Sequence, residues 1–156
     1  NLIRNIDYTK YEEGIYVGYR YFNTFKKKAI AYPFGHGLSY TTFKFSNMNI
    51  VDTEGGWKVK VDVTNTGKAA GKDVVQIYVK APRKGLDKPE RELKGFAKTP
   101  LLAPGESYET EIFISKESLA SYDESTGSWI IEKGRYTFVA GKDSLDSSRR
   151  KKISIR

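Results

Sequence analysis

The chain has 156 residues, 38% of them hydrophobic, 13% aromatic and 29% charged. That length suits one domain, or a small domain with an appendage, and buries roughly 68 to 70% of the unfolded surface. The composition excludes a disordered tail, a collagen-like rod and a membrane span, and the length falls short of a (β/α)8 barrel, which needs about 250 residues.

Lys and Arg number 27 against 19 Asp and Glu, a net charge of +8. The basic runs Lys26-Lys27-Lys28 and Arg149-Arg150-Lys151-Lys152 fall at loops or strand ends, and elsewhere Lys alternates with Asp and Glu. These read as solvated faces: a nucleic-acid site would need exposed aromatics beside the basic groove. Neither nucleic acid nor membrane is expected as a partner. The absence of cysteine excludes disulfides and thiolate chemistry. No charged start followed by an apolar core and a cleavage site marks a signal peptide, so cytoplasmic and secreted locations both stay open. A chain that starts at Asn1 and holds only Met48 reads as a piece of something longer.

The first 30 residues carry Tyr8, Tyr11, Tyr16, Tyr19, Tyr21, Phe22 and Phe25. Alternation through Ile15, Val17, Tyr19 and Tyr21 predicts a strand with two apolar faces. A lone strand needs a sheet from elsewhere, so residues 1–30 are expected to be the terminal strand and exit of a preceding α/β domain. Residues 31–41 are expected to be a packed linker, broken by Pro33, Gly35 and Gly37 and anchored by Phe34, Leu38 and Tyr40, all three buried.

From residue 42 onward the period is two, with turn signals between runs. Phe43 and Phe45 open a strand whose phase changes at Ser46-Asn47 before Met48 and Ile50, which predicts a bulge. Trp57, Val59, Val61 and Val63 line one face of the next. Residues 73–80 are almost continuously apolar, as in a central strand covered on both faces. The polar loop Ala81 to Arg91 leads to a short strand around Leu93 to Phe96, and Tyr108, Ile112 and Ile114 alternate with Glu109, Glu111 and Phe113. A single helical turn is expected near Ser118. Trp129 to Ile131 and Tyr136 to Ala140 are expected to pair, Tyr136 sits where a tyrosine corner would, and Ile153 and Ile155 close the chain. Residues 42–156 thus read as an all-β, immunoglobulin-like antiparallel sandwich of about seven strands.

Chemistry is sparse. A glycosidase needs two converging carboxylates, yet Glu12, Glu13, Glu90, Glu92, Glu109, Glu111, Asp123 and Glu124 lie at a strand entrance, on polar faces or in loops. His36, the only histidine, lies between two glycines with no nucleophile elbow beside Ser39. One His and no Cys argue against zinc, and GKAAG at Gly67 to Gly71 opens no helix as a phosphate loop would. No catalytic residue, metal site or cofactor is expected. Of the long 81–91 loop, Arg83, Lys84, Lys88 and Arg91 are the candidates for a pocket rim or interface; the alternative is a mobile solvated loop.

The run Tyr11-Glu12-Glu13-Gly14-Ile15-Tyr16-Val17-Gly18-Tyr19-Arg20-Tyr21-Phe22, followed by Tyr32-Pro33-Phe34-Gly35-His36-Gly37-Leu38-Ser39-Tyr40, resembles the interdomain junction of glycoside hydrolase family 3 enzymes, the β-glucosidases and their relatives. Val63-Thr64-Asn65-Thr66-Gly67, Gly71 to Val79, Glu92 to Phe96 and Leu102 to Ser107 resemble the fibronectin type III-like domain of that family. The resemblance implies a retaining parent enzyme with an aspartate nucleophile in a barrel-like domain and the acid/base in an α/β sandwich. Both catalytic segments lie outside this sequence, so the chain alone is expected to be inactive. Its implied role is accessory: stabilising the catalytic domains, shaping the pocket rim or making subunit contacts, with the parent's remaining domains as partners and a homo-oligomer left open. Some members order their domains differently, so a C-terminal place is an expectation. The competing readings are a carbohydrate-binding module and an adhesin-type sandwich; Trp57 and Trp129 would serve sugar binding only if exposed, and both are expected in the core.

Overall fold

A computed structural model describes residue 12 and residues 14–156. The expectations placed on Tyr8, Tyr11 and Glu13 lie outside the described residues. Strands β1 (Phe43–Thr53), β2 (Gly56–Asn65) and β5 (Ser107–Ser115) form one antiparallel sheet in the order β1-β2-β5. Strands β3 (Val74–Lys80), β4 (Glu92–Lys98), β8 (Gly134–Gly141) and β9 (Arg149–Ile155) form the second, in the order β4-β3-β8-β9. A separate hairpin joins β6 (Ser121–Asp123) to β7 (Ser128–Ile130). The two main sheets are the expected seven-stranded all-β sandwich.

Period-two patterning explains the core. Trp57, Val59, Val61 and Val63 of β2 and Ile112 and Ile114 of β5 face Val75, Ile77 and Val79 of β3 and Tyr136, Phe138 and Ala140 of β8, all buried. Trp57 meets Phe138 edge-on across the layers, with ring centroids 5.9 Å apart. On β1 the buried positions switch from Phe43 and Phe45 to Met48, and the pairing with β2 slips between Ser46 and Asn49. Asn47 takes up the extra residue at φ 48°, a conformation asparagine tolerates, and its amide donates to Asp62 Oδ2 at 2.8 Å. The tyrosine corner is present: buried Tyr136 donates its hydroxyl to the Glu132 carbonyl at 2.9 Å.

Three expectations need correction. The aromatic run near the start forms a helix, α1 (Tyr19–Phe25), where a strand was expected. Gly14 and Gly18 both take positive φ (56° and 58°), which breaks an extended run on either side of Val17 and starts the helix. Its one buried side chain is polar: Asn23 donates to the Ser144 carbonyl at 2.9 Å. Second, β7 pairs with β6, whereas β8 pairs with β3 and β9. Third, and for that reason, Trp129 stands 71% exposed on the outlying hairpin, while Trp57 is in the core as expected.

Candidate functional site

Strand β3 is buried on both faces, as its apolar run predicts, because the N-terminal segment covers the outer one. Gln76 and Tyr78 point outward from it and are nevertheless buried. Tyr78 donates its hydroxyl to Gln76 Oε1 at 2.6 Å, and Gln76 Nε2 donates to the carbonyls of Gly35 and Lys142. The Tyr19 ring stacks on Phe34 at 4.7 Å and meets Tyr78 edge-on at 6.1 Å. Burial raises the Tyr78 phenol far above its ordinary value, with Tyr19 and Asp143 adding to the shift, so it stays a neutral donor.

The linker is held at both ends, at Phe34–Gly35 and at buried Thr41, whose hydroxyl donates to Asn65 Oδ1 at 2.7 Å. The Phe34 carbonyl accepts the Ser144 N–H at 2.8 Å and Gly35 lies against Gln76. The His36 N–H donates to the Pro33 carbonyl at 3.0 Å, closing a turn, and its ring lies 5.5 Å from Tyr32. Gly37 has open space around it. Leu38 is 97% exposed and Tyr40 fully so, and Phe34 is half-exposed. Of the three anchors expected to be buried, Phe34 is so only in part, through the Tyr19 ring, and Leu38 and Tyr40 are not covered by the described residues.

The 81–91 loop and the start of β4 pack against α1 and the residues just before it. Asp87 accepts the Tyr16 hydroxyl at 2.6 Å, and the Glu90 and Leu93 N–H groups donate to Thr24 Oγ1 and to the Tyr19 hydroxyl, both at 2.9 Å. Arg20 pairs with Glu92 at 3.1 Å. Of the four basic residues expected to reach outward, Lys84 is exposed and Arg83 contacts Glu90 at 3.3 Å. Arg91 donates to the Asp146 carbonyl at 2.6 Å. Lys88 is only 4% exposed and is ion-paired with Glu132. Burial pulls the Lys88 ammonium below its ordinary value, opposed by Glu92.

Five of the acidic candidates, Glu90, Glu92, Glu109, Glu111 and Asp123, have structural partners. Glu109 and Glu111 pair with Lys60 and Lys58, each at 2.8 Å, on the outer face of β2 and β5. Glu90 gathers Lys80, Lys27 and Arg83, and Asp123 accepts from Ser125. Among the described residues no three His, Cys, Asp or Glu side chains cluster to hold a metal ion, and no helix is long and apolar enough to cross a membrane. Sequence reasoning missed Gln76, Asn23 and Ser144. Gln76 alone left a trace, a polar residue inside an apolar strand.

The family described as a fibronectin type III-like domain matches residues 73–144. A beta-glucosidase of Ruminococcus albus is 47% identical over 144 residues, covering 89% of this chain. Beta-glucosidase 3B from Thermotoga neapolitana, solved in complex with alpha-D-glucose, superposes with a TM-score of 0.85 at 46% identity over 92% of this chain. A GH3 beta-glucosidase from Bifidobacterium adolescentis does so with a TM-score of 0.85 at 37% identity, again over 92%. The chain is thus similar, over about nine-tenths of its length, to the part of family 3 β-glucosidases that holds a fibronectin type III-like domain. It spans 15%, 20% and 21% of the length of these three relatives.

The Glu90 carboxylate meets Lys27 just after α1 as well as Lys80 and Arg83, so its charge is expected to help hold this segment. Burial alone would raise its carboxyl, but Lys80, Lys27 and Arg83 together hold it below the usual carboxylate range. The folded-state value lies below the unfolded one, so the stabilisation is present above the ordinary value of about 4.3 and is lost as pH falls through the folded value. Amide exchange in Tyr19–Phe25 should accelerate in that acid window more than in β2. Glu90→Gln should abolish the differential; if the variant keeps it, another carboxylate holds the helix.

Proposed function

We propose that this chain is the accessory domain of a β-glucosidase, hydrolysing terminal β-D-glucosyl residues in the parent, and that it braces the catalytic domains through its N-terminal segment. Residues 1–30 are assigned to the end of a preceding α/β domain, 31–41 to the linker and 42–156 to the sandwich. The observation that carries this reading is the row of exposed apolar side chains on a segment whose backbone is firmly held. Val17, Phe22 and Phe25 lie around α1, and Tyr32, Leu38 and Tyr40 along the linker, all exposed to solvent. Exposed apolar side chains in this number mark an interface, and relatives of which this chain spans 15% and 20% have further domains to cover much of it. The 81–91 loop acts in the same interface by fixing α1, with Lys84 free to reach a rim or a second subunit.

The test uses the parent enzyme and the chain side by side. Leu38→Asp with Tyr40→Asp should lower the parent's thermal stability and kcat/KM toward an aryl β-glucoside while leaving the chain's own melting temperature unchanged. The chain itself should show no turnover. A parent indifferent to the double substitution, or chain turnover that disappears on replacing one of its own carboxylates, would overturn the assignment.

One observation favours the carbohydrate-binding alternative. Exposed Trp129 lies 5.5 Å from Tyr122 and borders a cleft of about 530 Å³ that also holds Arg20, Glu92 and Lys94. Binding of a neutral oligosaccharide by the chain, lost in Trp129→Ala, distinguishes this reading from the first.

A further inference from the structure

Strand β9 carries two sets of cations with different surroundings. Arg149 donates its Nε to the Phe45 carbonyl at 2.7 Å and Lys151 its Nζ to Asn49 Oδ1 at 3.0 Å. This set reaches across to β1 and closes the side of the sandwich, and Ile153 and Ile155 continue its row against the core. Charged side chains on an edge strand also discourage pairing with another chain, and Arg149 and Lys151 meet that need. Arg150 and Lys152 fall on the opposite face, where neither has a carboxylate or hydrogen-bond partner among the described residues.

Arg135 of β8 shares that face. The register sets Thr137 against Lys152, Val139 against Arg150 and Arg135 against Ser154, so the three cations are same-face neighbours on two adjacent strands. They line a groove of about 510 Å³ together with Lys80 and Arg91. Glu90, the one carboxylate among the described residues of its lining, is already engaged by Lys80, Lys27 and Arg83. Residues around α1 cover β3, whereas Arg135, Arg150 and Lys152 on the β8–β9 half are exposed. Like charges this close repel one another, and no carboxylate among the described residues pairs with Arg135, Arg150 or Lys152.

We infer that the outer face of β8 and β9 binds a linear polycarboxylate, an acidic polysaccharide whose uronate groups meet Arg135, Arg150 and Lys152 in succession. Guanidinium groups take carboxylates in bidentate pairs, and an extended polyanion neutralises all three cations at once. Among the described residues the groove lining contains no aromatic ring on which a nucleobase could stack. The only apolar side chain among them is Val139, too little to enter a lipid surface. The surface is separate from the apolar face assigned to the parent's domains, so either reading can fail without the other.

The test is a titration of the full chain with polygalacturonate oligomers, with duplex DNA of equal charge as a second arm. Arg150→Glu with Lys152→Glu removes the groove cations; Lys68→Glu with Lys72→Glu makes the same change in net charge on exposed residues between β2 and β3. The groove variant should weaken polygalacturonate binding by about tenfold or more while the control stays within about twofold, a gap of roughly 1 kcal/mol or more, and DNA should bind more weakly than polygalacturonate. Equal loss in both variants would show a response to net charge alone and overturn the inference. So would absent polygalacturonate binding, or DNA binding as tight and equally sensitive to the groove. Arg135→Gln, which removes the charge and leaves a shorter polar side chain, should give a smaller loss in the same direction; no loss would remove Arg135 from the site.

Discussion

Asn65→Ala is expected to destabilise the chain by about 3 kcal/mol, the sum of several buried hydrogen-bonding groups left unmet at about 1 kcal/mol or more each. Asn65 is fully buried at the end of β2 and uses its whole amide. Oδ1 accepts from Thr41 Oγ1 at 2.7 Å and from the Gly67 N–H at 3.0 Å, while Nδ2 donates to the Ala69 and Leu102 carbonyls at 2.8 and 2.9 Å. Its backbone adds the Glu106 carbonyl and the Gly105 N–H. One residue therefore joins the end of the linker, the β2–β3 connection and the turn before β5. Urea unfolding of Asn65→Ala measures the cost, and Asn65→Asp, which turns a carboxylate oxygen toward the Ala69 and Leu102 carbonyls in a buried site, should cost at least as much at neutral pH. A loss below about 0.5 kcal/mol, the range of an ordinary surface change, would mean that water replaces the amide.

The sandwich was readable because β1, β2, β3 and β5 each keep one face apolar at period two. Even the bulge showed, as the change of phase between Phe45 and Met48. Two places misled the same reading for physical reasons. Ile15 to Tyr21 alternates like a strand, but Gly14 and Gly18 sit in the left-handed region, and backbone conformation there outweighs side-chain pattern. Trp129 lies in an apolar row, Trp129 to Ile131, yet the row is too short to fix a partner. The Lys133-Gly134 turn suggested β8, and the chain chose β6.

The site was less legible, because its contacts link residues far apart in sequence. Lys88 looks like any loop lysine until Glu132 is brought against it, and Asn23 until Ser144 is. The linker's apolar anchors were noticed for the right property and given the wrong surroundings: Leu38 and Tyr40 are apolar enough to be buried, but no described residue buries them. The proposed bracing role rests on that exposed surface.

Gly35→Ala is expected to cost about 2 to 3 kcal/mol, from backbone strain and broken hydrogen bonds together. Gly35 takes φ 85°, where a side chain is strained whatever space surrounds it. A Cβ there would also collide with the amide of Gln76, which lies buried on β3. Gln76 cannot simply swing aside, because it holds Gly35 and Lys142 by their carbonyls and accepts from Tyr78. The linker must lift instead, and lifting it pulls Phe34 off Tyr19 and opens the bond between the Phe34 carbonyl and the Ser144 N–H. The expected result is therefore local: faster exchange at the Ser144 amide and through Tyr19–Phe25, with β2 and β5 protected nearly as before. Gly37→Ala is the matched control, since nothing lies within 4 Å of a Cβ there, and it should change neither exchange nor stability. If Gly35→Ala behaves like Gly37→Ala, the linker is not clamped on Gln76, and the angle at which the sandwich meets its parent is set elsewhere.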